Sequence, residues 1–219
     1  MTLARSSFGA FPRRPAGSAA ASRLLVAGAF ALASCGGGDG TNPLDNAATV
    51  ANPAGTTNGQ KLSFAYFQRC VMPILRAQLP ININGAMSVN SCASGGCHDN
   101  TTGTGGALRL VGSAADVNLA TAAASAAVVR QTDMYRNFYS SQGETLIGAP
   151  LASRLLNKPL VRTVLHGGGL VFADENDANA KIIRYWITRP MPAGQDEFSA
   201  AAANLFTPAD VTTGVCNTD

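Results

Sequence analysis

Apolar residues recur at helical intervals in two well-separated stretches of the chain. From Leu62 to Leu75 they fall at Phe64, Phe67, Val71 and Leu75. Spacings of three and four put them on one face of a helix. Asn58 is the expected N-cap, and Pro73 is expected to kink or end the helix. Near the other end, Ala178, Ile182, Ile183, Trp186 and Ile187 predict a second amphipathic helix, capped by Asp177 and stopped by Pro190. Between these, the alanine-rich stretch from Ala114 to Phe138 predicts more helix, and Ser153 to Leu160 reads as a short helix ended by Pro159.

The run Leu24 to Leu32 is apolar without interruption, but its nine residues fall short of the roughly 20 that a helix needs to span a bilayer. Arg5, Arg13, Arg14 and Arg23 precede or flank it, and no acidic residue occurs before Asp39. This is the layout of a secretory signal. The run ends in Leu32-Ala33-Ser34-Cys35, which resembles the lipobox of bacterial lipoproteins. The resemblance implies cleavage before Cys35 and a lipid on Cys35. Gly36, rather than an acidic residue, then favours the outer membrane over the inner one.

Loss of residues 1–34 changes the electrostatic picture. The whole chain carries 16 basic and 13 acidic residues, net +3. Four of the basic residues and none of the acidic ones lie in the leader, so the mature chain has 12 against 13, net −1. It holds no basic run of the kind that binds nucleic acid. Residues 35–57 are rich in Gly, Asn, Thr, Ala and Pro, with only Leu44 and Val50 as larger apolar residues. Such a segment buries too little surface to order itself and is expected to be a flexible tether. Residues 58–219 are one domain's worth of chain.

The chemistry concentrates in Cys92-Ala-Ser-Gly-Gly-Cys97-His98. Two thiols followed at once by a histidine is the local arrangement of covalent c-type haem attachment, here with four residues between the thiols rather than two. Each thiol can add to a porphyrin vinyl group, and the following imidazole can take an axial position on iron. Two other readings compete: a local Cys92–Cys97 disulfide, and a zinc site, which would need further Cys, His or carboxylate ligands. The remaining cysteines are Cys35, Cys70 and Cys216. In the oxidising compartment that export implies, a free thiol is unusual. With Cys35 acylated, Cys70 and Cys216 are left to pair, whichever reading of Cys92 and Cys97 holds.

Only one other histidine exists, in His166-Gly167-Gly168-Gly169-Leu170-Val171-Phe172. Its glycines let backbone approach something flat and close. Taken in order, the chain resembles the small cytochrome c-type domains of planctomycete-type and related bacterial surface proteins. The residues that carry the likeness are Tyr66-Phe67, Pro73-Ile74-Leu75, Cys92, Cys97 and His98, then Gly105-Gly106-Ala107-Leu108-Arg109-Leu110. Ser153 to Pro159, His166 to Gly169, Phe172 and Tyr185-Trp186-Ile187 complete the set, most of residues 62–188. The spacing of the thiols departs from the common pattern. The likeness implies a mostly α-helical domain with long loops, haem c on Cys92 and Cys97, and His98 as the proximal ligand. The distal ligand is expected to be His166, in the loop before the last helix. Met191, in Arg189-Pro190-Met191-Pro192, is the alternative.

The expectation is a membrane-tethered c-type cytochrome that transfers single electrons to a redox partner protein and has no enzymatic activity. No Ser/His/Asp set or paired-carboxylate site stands out. The competing expectation is a haem-free surface lipoprotein, a binding or structural module with two disulfides.

Overall fold

A computed structural model describes residues 59–83 and 85–219. The expected leader 1–34, acylated Cys35, tether 35–57 and the N-cap Asn58 lie outside the described residues. The first helical segment opens at Ser63, whose hydroxyl accepts from the Tyr66 N–H at 3.1 Å. It runs through α1 (Phe64–Tyr66), a π-helical turn (Phe67–Val71) and α2 (Met72–Arg76). Of the two outcomes expected of Pro73, it does not end the segment; it lies in the first turn of α2, directly after the π turn. A proline ring inside regular α-helix presses on the carbonyl four residues earlier and lacks its N–H. The π turn just before Pro73 changes the bonding pattern there, with the Met72 N–H reaching back to the Phe67 carbonyl.

The domain is not mostly α-helical. Helix makes up 32% and strand 11% of the described residues, in six short helices and two small antiparallel sheets. Two stretches account for the difference. From Ala114 to Asn118 the chain is irregular, from Leu119 to Ser125 it forms turns, and helix in this stretch is confined to α3 (Ala126–Val129) and α4 (Asp133–Gly143). Alanine favours helix, but without an apolar stripe to bury, propensity does not hold a helix together. The second stretch is a β-hairpin, β1 (Leu79–Ile83) with β2 (Ala86–Asn90), in register Ile81↔Ser88. Its sequence alternates apolar and polar residues around Asn84-Gly85, the strongest short-range hairpin signal, and Gly85 has φ +87°.

The remaining elements are α5 (Arg154–Asn157), α6 (Ala178–Thr188), β3 (Phe206–Thr207) and β4 (Val215–Cys216), with 3-10 turns at Pro150–Ala152 and Ala200–Leu205. Asp177 caps α6, accepting from the N–H groups of Asn179 and Ala180. The helix buries Ala180, Ile183, Trp186 and Ile187. Ala178, expected on that face, is exposed.

One hydrophobic core joins the first helical segment to α4 and α6. Phe67 lies 5.4 Å from Trp186 and 5.7 Å from Phe138, ring centre to ring centre. The buried Trp186 indole donates to the Ser63 carbonyl at 2.9 Å, so the one tryptophan is both packed and satisfied. A disulfide joins Cys70, in the π turn, to Cys216, in β4, across 146 residues. Beside the core, the carboxylate of Glu197, 2% exposed, accepts from Arg130 Nε at 2.9 Å and the Tyr135 hydroxyl at 2.7 Å.

Candidate functional site

The segment from Cys92 to His98 is a closed loop. The His98 N–H donates to the Cys92 carbonyl at 2.9 Å, so the two ends of the segment meet. Inside, the Ser94 carbonyl accepts from both Cys97 N–H (3.0 Å) and Asp99 N–H (3.1 Å). The loop is fastened to the end of the first helical segment: Ser91 Oγ and the Ala93 N–H both donate to the Leu75 carbonyl, at 3.1 and 3.0 Å. The extra residues of the spacer, Gly95 and Gly96, are exposed. Cys92 and Cys97 are both half-buried and unbonded to each other. Burial, and then the nearby Cys97, push the Cys92 thiol up to about 11.

His98 Nδ1 lies 3.2 Å from the Leu108 carbonyl, and His166 Nδ1 lies 2.7 Å from the Gly169 carbonyl. A carbonyl only accepts, so each Nδ1 carries the proton and each neutral ring keeps its lone pair on Nε2. Burial is the main cause that holds both rings below the usual histidine pKa. Among the described residues neither Nε2 has a hydrogen-bond partner. An imidazole pinned through Nδ1 to backbone, with Nε2 unclaimed, is the orientation that metal-binding histidines adopt.

The two rings face the same space. Their centres are 6.3 Å apart and their planes differ by 11°. Imidazoles on opposite sides of one metal, with metal–nitrogen bonds of about 2.0–2.1 Å, have centres roughly 6 Å apart. Both rings line a cavity of about 420 Å³ that Cys92 and Cys97 also line. Its apolar wall is the inner face of the hairpin, Leu79, Ile81 and Ile83, which alternate along β1 and therefore point the same way. Glycine is required beside His98: a Cβ on Gly105 would sit 2.5 Å from His98 Nδ1 and 2.7 Å from the Cys97 carbonyl.

The structure therefore brings four of the expected site residues, Cys92, Cys97, His98 and His166, to one cavity. Met191 is not among its lining residues. It is 1% exposed within the core, its N–H donating to the Lys61 carbonyl at 2.7 Å. Cys70 and Cys216 form the disulfide elsewhere, and Cys35 lies outside the described residues. Among the described residues no group of three or more Cys, His, Asp or Glu side chains could hold a metal by itself. Among the described residues a zinc site lacks its donors. Two imidazoles with two adjacent thiols suit instead a metal whose other ligands come from a covalently held macrocycle.

The sequence reading missed the hairpin wall and the two backbone carbonyls that orient the imidazoles. The alternation around Asn84-Gly85 could have revealed the first. No sequence signal marks the second. Comparison of the chain with protein-family models, curated proteins and solved structures finds no match.

Proposed function

We propose that this protein is a c-type cytochrome, tethered to a bacterial membrane by lipid on Cys35, that transfers single electrons. Cys92 and Cys97 would hold the porphyrin as thioethers, and His98 and His166 would be the axial ligands. The observation that carries this reading is the pair of near-parallel imidazoles, 6.3 Å apart centre to centre, that line one cavity together with two unbonded thiols. When bound, haem supplies a one-electron iron couple. The protein's own part is to orient and to exclude. The Leu108 and Gly169 carbonyls hold the imidazoles in the neutral Nδ1–H tautomer, which leaves the Nε2 lone pair free, and Leu79, Ile81 and Ile83 keep one side of the cavity apolar. Two imidazoles favour ferric iron more than an imidazole and a thioether do, so the potential is expected low in the cytochrome range.

Mass spectrometry of denatured protein made alongside a haem-attachment system tests this reading. The expected result is a mass raised by one haem that survives solvent extraction, with a Soret band in the native protein. A colourless, folded product with a Cys92–Cys97 disulfide would overturn it in favour of a haem-free surface module.

A further inference from the structure

Between Arg76 and Asp99 the chain holds no Asp, Glu, Lys or Arg, and the hairpin lies wholly inside this stretch. Its two edges differ. Beyond β1, Asn82 is bridged to Leu170; beyond β2, among the described residues, no strand is paired. In an antiparallel ladder alternate residues turn their backbone groups toward the partner strand or away from it. Asn82 turns away from β2, because its N–H and carbonyl bond Leu170. Met87 is registered with Asn82 and Val89 with Pro80, so Met87 and Val89 turn away from β1. Among the described residues no hydrogen bond from outside the hairpin reaches their N–H or carbonyl groups. Their side chains, each 65% exposed, stand on the face opposite to Leu79, Ile81 and Ile83. An open edge is a template for another strand, and proteins usually guard one with charge, proline or a bulge. β2 has none of these.

We propose that β2 pairs with β2 of a second copy of this chain, antiparallel about Ser88, and joins the two hairpins into one sheet. Charge selects this occupant. A charged strand laid along β2 would give up hydration and meet no counter-charge, whereas β2 itself carries no charge. The strand is also complementary to itself in register. About an axis at Ser88, Met87 lies opposite Val89 of the second copy, and Ala86 lies opposite Asn90. The backbone groups of Met87 and Val89 are the ones left open, so they donate to and accept from Val89 and Met87 of the other copy. The same pairing sets exposed apolar side chains against each other, and such cross-strand pairs favour a sheet. An axis through the sheet keeps the cavity-facing sides of both hairpins on one side of it. The inference does not depend on what fills the cavity.

Ser88 meets itself across the axis at a spacing where two thiols can bond. The full chain is exported from a bacterial host as Ser88→Cys and, as a control for chance collision, as Val128→Cys, a position 68% exposed on α3. Non-reducing electrophoresis and peptide mapping give the amount and the position of linkage. The expected result is that Ser88→Cys links two copies through the introduced thiols several-fold more than Val128→Cys does. Met87→Lys with Val89→Lys, added to Ser88→Cys, sets like charges opposite each other across the axis and abolishes the linkage. Met87→Glu with Val89→Lys sets opposite charges there and restores it. Both positions are exposed, so the fold is retained, which circular dichroism checks. Linkage no greater than in the control, linkage unchanged by the two lysines, or no return with the glutamate–lysine pair overturns the proposal. So does capture of a different protein in place of a second copy.

Discussion

Asn82 and Leu170 exchange both of their backbone hydrogen bonds, each 2.9 Å long. This isolated bridge stitches the hairpin that walls the cavity to the loop that carries His166. Gly169 lies at the seam, with φ +74°, and a Cβ there would sit 2.1 Å from the Asn82 carbonyl oxygen. Gly169 also supplies the carbonyl that holds His166 Nδ1.

Gly169→Ala is therefore expected to open the bridge and loosen His166 together. The backbone at positive φ alone costs a non-glycine residue about 1–3 kcal/mol where surroundings enforce it, and the clash with backbone adds to that. The haem-loaded variant is expected to lose part of its low-spin ferric spectrum and to bind added cyanide or imidazole faster than wild type. An unchanged spectrum with unchanged ligand-binding rates would show that the bridge does not position His166.

His166→Ala and Met191→Leu separate the two residues that sequence alone leaves in competition. Met191 is buried in the core and absent from the cavity lining. Met191→Leu, a volume-conserving change, is expected to cost under about 1.5 kcal/mol and to leave the ferric spectrum alone. His166→Ala is expected to convert it to high spin. The reverse pattern, with loss of a sulfur-to-iron charge-transfer band in Met191→Leu, would make Met191 the ligand.

The Cys70–Cys216 disulfide closes a loop of 146 residues. Chain-entropy models assign a crosslink of that span about 4–5 kcal/mol. Cys216→Ser is expected to lower the unfolding free energy by an amount of that order, and the urea midpoint with it. The spectrum of the site should be unaffected, because neither sulfur lines the cavity. Urea titrations of both proteins, followed at the haem and by circular dichroism, check the two halves of the statement.

Glu197 links stability to acid pH. Burial raises its pKa, but hydrogen bonds from Arg130 and Tyr135 outweigh burial and leave it below the ordinary 4.5. The same cluster pushes Tyr135 up to about 12, through burial first and Glu197 second. A carboxylate with a depressed folded pKa stabilises the fold above its unfolded pKa, and that contribution is lost as pH falls through the folded value. Glu197→Gln is expected to be less stable than wild type near pH 7, by about 1.5–3 kcal/mol for hydrogen bonds to a charged group. The difference should shrink as pH falls below about 4. Denaturation midpoints of both proteins across that range give the test, and a gap that stays constant with pH would rule out the carboxylate charge as its cause.

The site was more legible in the sequence than the fold around it. Cys92, Cys97 and His98 are adjacent in the chain, so local spacing brings them together. His166 is the only other imidazole, flanked by glycines, and the fold delivers it to the same cavity. The elements were harder to read because short segments obey tertiary context. Ala114 to Ser125 has helix-forming composition but no stripe to bury, and it turns instead. Pro73 carries a strong stop signal that a single π turn accommodates. The hairpin was written plainly in alternation and Asn84-Gly85. The carbonyls of Leu108 and Gly169 have no sequence signature, because every residue offers one and only the folded backbone decides which is near an imidazole.

The closure of the Cys92–His98 loop bears on how such segments are compared across sequences. The hydrogen bond from His98 N–H to the Cys92 carbonyl joins the ends directly, and Gly95 and Gly96 in the middle of the spacer are exposed, Gly96 at the edge of the cavity. The number of residues between two thiols is thus no direct measure of how the backbone of the segment closes. A pattern search that fixes that number discards loops that, like this one, fold back on themselves. The invariant to look for is a spacer able to fold back on itself, small and glycine-rich at its apex, with an imidazole immediately beyond the second thiol.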